Sequence, residues 1–210
     1  MTKPKETSDS LAHPVVEPAH VVVPARRRTA ADYAALAIAT CGVGLIPVAP
    51  GTWGSGVGVL LYLALGRATQ MVFNREVARG VDLSPQTFQV FLTTALLAAI
   101  LVVALVGMWA ATRAEKLLGK KDPGAVVVDE VAGQLTAFLF VPWVVDKGAG
   151  TWVVVAGFVA FRLFDIWKPY PVRRLEGLGG GLGIMADDML AGFYAAALMS
   201  LIVSIHTLPF

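Results

Sequence analysis

From Phe88 to Ala111 the chain carries no charged side chain. A helix rising about 1.5 Å per residue over that run crosses the ~30 Å hydrocarbon core of a bilayer. Within lipid, backbone N–H and C=O groups must bond inside their own segment, so the run dictates a transmembrane helix. Four further stretches are apolar enough to enter a bilayer: Ala34–Leu65, Ala125–Val145, Thr151–Trp167 and Ile184–His206. The first is interrupted by Pro47, Pro50 and Gly51, and reads as a short interfacial helix, a loop, and a span from about Trp53. The expected fold is therefore all-α, a polytopic membrane helix bundle with about four to five spans and an interfacial N-terminal helix. Composition agrees, because 56% of the 210 residues are hydrophobic and only 15% charged, with mean hydropathy +0.68. A soluble domain carries about 25% charged residues.

Residues 1–29 differ from the rest, with Pro4, Pro14, Pro18 and Pro24, scattered charges and the run Arg26-Arg27-Arg28. They read as a disordered basic cytoplasmic tail, leaving residues 30–210 as the membrane domain. No apolar core followed by a cleavage site marks a secretory signal. The net charge of +2 gives no ground for nucleic-acid binding. Cys41 is the single cysteine, which excludes an intrachain disulfide framework and a multi-cysteine zinc site.

Basic residues mark cytoplasmic ends of membrane helices. Arg26–Arg28 precede the first span, Arg113, Lys116, Lys120 and Lys121 follow the second, and Lys168, Arg173 and Arg174 follow the fourth. All three clusters fall on one side if the spans alternate, with the N-terminus inside; Arg67, Arg75 and Arg79 fall on the other. This arrangement brings four pieces to the inner face: Gly42–Ser55, Arg113–Glu130, Arg162–Arg174 and Gly177–Asp188.

Those pieces hold Asp122, Asp129, Glu130, Asp165, Asp187 and Asp188. A charge at the bilayer centre costs about 2.5–3.5 kcal/mol on insertion scales, so acids bordering apolar runs are rare unless used. Several have an ordinary alternative. Asp122 before Pro123 is either an N-cap or functional. Asp187 and Asp188 suit a first helical turn, and Arg162 with Asp165 fits a local ion pair. Asp129 and Glu130 have no basic residue in their own stretch to neutralise them. The histidines are His13, His20 and His206, two in the tail and one at the far end. Carboxylates without histidine or usable cysteine suit a hard divalent cation such as magnesium.

Gly177-Leu178-Gly179-Gly180-Gly181-Leu182-Gly183 runs into the last apolar stretch, where its N–H groups, Gly183's among them, either cradle an anion or form a linker. Thr52 and Ser55 begin the first expected span, as phosphate ligands or, for Thr52, as a cap. Lys168, Arg173 and Arg174 reach the same face, where the two arginines suit anionic lipid heads equally well.

The segments GLIPVAPGTWGS (Gly44–Ser55), DPGAVVVDEVAGQ (Asp122–Gln134), FRLFDIWKPYPVRRLE (Phe161–Glu176) and GGLGIMADDMLAG (Gly180–Gly192) resemble, in order, those of the phosphatidylglycerophosphatase A family. The resemblance covers roughly residues 35–205. It implies a magnesium-dependent enzyme of the bacterial inner membrane that hydrolyses phosphatidylglycerophosphate to phosphatidylglycerol and inorganic phosphate, with its site facing the cytoplasm. It also implies Asp129, Glu130, Asp165 and Asp188 as metal or catalytic residues, with Asp122 and Asp187 as further metal candidates. Thr52, Ser55, Arg162, Lys168 and Gly183 are the implied phosphate-handling positions. In that scheme Asp129, Asp165 and Asp188 hold the metal, Lys168 balances phosphate charge and Glu130 orients or deprotonates water. Two rivals are a phosphoalcohol transferase, whose spaced aspartate series is missing here, and an ion or metal transporter, whose acids should lie at midplane.

Overall fold

The computed structural model describes residues 27–143, 149–175 and 177–207, and every regular element among them is a helix. Residues 1–26 of the expected tail and residues 144–148, where the apolar stretch Ala125–Val145 ends, lie outside this range. Thr29, the tail's last residue, already caps the first helix, α1 (Ala30–Thr40). Its hydroxyl accepts from Asp32 N at 3.3 Å, while Asp32 Oδ2 accepts from Thr29 N at 2.7 Å. This reciprocal box satisfies two donors that a helix start leaves open. A 3-10 turn at Val43–Leu45 then leads to α2 (Pro50–Ala78), with Pro50 in the first turn, where a missing N–H is harmless.

The helix α2 does not stop near Leu65. It continues to Ala78 because no breaker intervenes before Gly80, which turns the chain at φ 86°. Its polar end is supported by Gln70 Nε2 donating to Asn74 Oδ1 at 2.8 Å and an Arg79–Glu76 ion pair at 2.7 Å. Ser84 caps α3 (Pro85–Leu118), accepting from Thr87 N at 3.2 Å, and left-handed Gly119 ends it. On α3, Leu97, Leu101 and Leu105 form an exposed stripe at helical spacing, suited to lipid.

The apolar stretch Ala125–Val145 is not a membrane span. It forms a ten-residue helix, α4 (Val128–Ala137), about 15 Å long, followed by a turn at residues 138–140. Every residue of α4 except Glu130 is buried. The stretch is apolar because it is enclosed by α2, α3 and two helices that follow, α5 (Ala149–Trp167) and α7 (Gly180–Thr207). Between those two lies the single turn α6 (Val172–Leu175). Among the described residues α2, α3 and α7 are long and apolar enough to cross a membrane; α5 has 19 residues.

Close approach to α4 is secured by glycine. A Cβ on Gly58 of α2 would lie 2.7 Å from Gln134 Cβ, and one on Gly192 of α7 would overlap the Gly133 carbonyl oxygen. The starts of α2, α4 and α7 and the ends of α3 and α5 consequently meet at one end of the bundle. Gly181 N donates to Thr112 Oγ1 at 2.8 Å, and Lys168 bridges from the end of α5 to Asp187 in α7.

Candidate active site

Asp129 and Glu130 open α4, and Asp188 lies in the third turn of α7. One carboxylate oxygen from each falls within 4.8 Å of the other two. Asp165, near the end of α5, comes within hydrogen-bonding reach of Asp188. Its other partner is Arg162, whose Nη1 stands 2.6 Å from Asp165 Oδ2. The expected local pair therefore forms, but it does so beside the acids and not apart from them. Asp129, Asp165 and Asp188 are buried, while Glu130 and Arg162 are partly accessible and form the open side. Gly51 sits against that side, since a Cβ there would run into Glu130 Oε1 and approach Arg162 Nη1 to 3.2 Å.

The donor set fits a hard cation. Asp129 Oδ1 is a buried oxygen with no hydrogen-bond partner, and all the grouped ligand atoms are carboxylate oxygens. Four carboxylates and one guanidinium leave the cluster with an excess of negative charge that a divalent ion reduces.

The remaining expected residues take different places. Ser55 is fully buried; its hydroxyl donates to Gly51 O at 2.9 Å and accepts from Arg162 Nη1 at 3.4 Å. It holds the arginine in place. Thr52 is exposed at the start of α2, one residue past Gly51. Lys168, with φ 46°, pairs its ammonium with Asp187 Oδ2 at 2.8 Å. Asp187 is thereby turned toward the α5 end, and it lies outside the three-acid group. Gly183 is buried within α7, packed on the Leu178 backbone. The glycine run does not form a free cradle at Gly181, because Thr112 takes its N–H.

Asp122 is exposed at φ 45° and is not an N-cap; that position is Val127, whose N–H donates to Ala39 O at 2.8 Å. The helix starts at Val128, so Pro123 does not open it. Sequence reasoning also missed Gln134 as a polar group of the α4 face, and Arg113 as a structural partner of Asp32 at 2.7 Å. The capping pattern Thr29-x-x-Asp32 was the available sign that Asp32 is structural.

A family model for phosphatidylglycerophosphatase A matches residues 36–203. A Bacteroides thetaiotaomicron protein named as a candidate phosphatidylinositol-3-phosphatase is 37% identical over 76% of this chain and 86% of its own. Phosphatidylglycerophosphatase A of Haemophilus influenzae is 34% identical over 73% of this chain and 78% of its own. The Escherichia coli phosphatidylglycerophosphatase A is 28% identical, covering 75% and 76% respectively. No solved structure gives a significant match. With the family match spanning all four site-forming pieces, the chain belongs to the phosphatidylglycerophosphatase A family of enzymes.

Proposed function

We propose that this chain hydrolyses the terminal phosphomonoester of phosphatidylglycerophosphate, with Mg2+ as cofactor, at the cytoplasmic face of a bacterial inner membrane. The observation that carries this reading is the convergence of Asp129, Glu130 and Asp188 oxygens within 4.8 Å, beside Arg162. Asp129, Glu130 and Asp188 would hold the ion, with Asp165 next to them. When bound, a divalent cation supplies Lewis-acid polarisation of the phosphoryl group. Arg162, fixed by Asp165 and Ser55, offers its remaining N–H donors to phosphate oxygens. Glu130, on the open side, is the acid placed to take a proton from an attacking water. The ester P–O bond breaks as the new one forms, and the lipid alcohol leaves. Acyl chains stay in the bilayer, because the acids lie at one end of the membrane-length helices. That same placement disfavours a transport pathway through midplane.

A second substrate is favoured by a specific observation, the relative named as a candidate phosphatidylinositol-3-phosphatase. Phosphate release should therefore be measured from the purified protein on both lipids, with and without Mg2+. Release from phosphatidylglycerophosphate that needs Mg2+ and falls about 100-fold or more in Asp129→Asn is the expected result. Full Mg2+-dependent activity in that variant would sink the site, and exclusive use of the inositol lipid would sink the substrate.

A further inference from the structure

Gln134 is fully buried, one helical turn beyond Glu130 on the same side of α4. One end of its amide is fixed, since Nε2 donates to the Gly157 carbonyl of α5 at 3.4 Å. A carbonyl only accepts, so this contact determines which end of the amide is nitrogen. Oε1 is left as a buried acceptor with no partner, and Glu130 Oε2 is another. A buried acceptor left unbonded destabilises a fold, whereas an apolar side chain of equal volume does not. Holding α4 to α5 therefore does not account for an amide here. Residues i and i+4 of a helix have Cβ atoms about 5–6 Å apart. The two open acceptors therefore stand on one face of α4, and a single water, having two protons, can serve two acceptors at once.

We propose that Gln134 is a positioning residue: its Oε1 and Glu130 Oε2 take the two protons of a single water and so aim its lone pair at the phosphorus. The proposal rests on the reading of the site as a phosphomonoesterase. As the water oxygen bonds to phosphorus and the ester P–O bond breaks, one proton passes to Glu130. The other stays on the oxygen that becomes part of inorganic phosphate, held by Gln134 until bonding is complete. The departing alkoxide takes its proton from solvent. Gln134 remains neutral throughout and only orients.

The test compares the full chain in lipid–detergent micelles with Gln134→Met, which keeps length and volume and removes the strong acceptor. Steady-state kinetics are run on whichever of phosphatidylglycerophosphate and phosphatidylinositol-3-phosphate the unaltered protein hydrolyses. Mg2+ affinity is read by calorimetry and stability by Tm. We expect kcat to fall by about 30-fold or more while KM and Mg2+ affinity stay within about threefold. Tm should be unchanged or higher. A kcat within about threefold of the unaltered protein overturns the proposal, as does a loss confined to KM. So does a loss accompanied by lower Tm or weaker Mg2+ binding, which marks a purely structural role. An unaltered protein that releases phosphate from neither lipid overturns the phosphomonoesterase reading, and this proposal with it.

Discussion

Three donors converge on Asp32: Thr29 N at 2.7 Å, Thr29 Oγ1 at 2.8 Å and Arg113 Nε at 2.7 Å. These bonds, the Thr29 backbone bond foremost, lower its carboxyl from the ordinary 3.8 to about 2. A depressed pKa means that the native state binds this proton less readily than the unfolded chain does. The stability conferred is thus complete above about pH 3.8 and is lost as pH falls toward about 2. Between about pH 5 and pH 2.5, Tm of the unaltered protein should therefore fall more steeply than that of Asp32→Asn. Thermal unfolding of the pair in detergent measures this, and parallel curves would remove the claim. The pairing shows what a sequence hides at this scale. A basic residue in the last turns of α3 reads the same whether it faces lipid headgroups or an acid 81 positions away. Asp129 and Glu130 were legible because a charge inside an apolar run demands a reason. Gln134 was not, because an uncharged amide leaves no such mark.

At the scale of elements, the apolar stretch around α4 was misjudged because burial in protein and burial in lipid leave the same composition. What distinguishes them is the small residues on neighbouring helices, which make sense only once the partner is known. On α2, Gly56 and Gly58 are two residues apart and look equivalent in sequence. A Cβ on Gly56 meets nothing within 4 Å, whereas one on Gly58 would come within 2.7 Å of Gln134 Cβ and 3.0 Å of Val131 O. Gly56→Ala should then stabilise the protein by about 0.5–1 kcal/mol, through lower backbone freedom in the unfolded chain. Gly58→Ala should destabilise it by about 1–3 kcal/mol, because α4 cannot move without disturbing Glu130 and Gln134. Equilibrium unfolding in mixed micelles separates the two, and equal effects of either sign would mean that α2 and α4 do not touch as described.

For the whole molecule, the convergence of four chain pieces on one end was readable from the alternation of basic clusters and apolar runs. Their mutual geometry was not, because it depends on bonds such as Gly181 N to Thr112 Oγ1 that have no pattern in sequence. The same convergence sets up an opposition between fold and function. The helices α4, α5 and α7 are drawn together by apolar packing of Phe161, Leu135, Ala191 and their neighbours, yet each brings acid to the shared end. Carboxylates so placed repel one another when ionised, and a divalent cation turns that repulsion into attraction. Mg2+ should therefore raise Tm of the unaltered protein, by the equivalent of about 2.7 kcal/mol at a hundredfold excess over Kd. Asp188→Asn keeps the shape of the side chain and removes one charge. In chelator it should melt above the unaltered protein, and on adding Mg2+ it should gain little or nothing. The crossing of the two melting series identifies the acids of α4 and α7 as one cation site, whereas an equal Mg2+ response in both proteins would place the ion elsewhere.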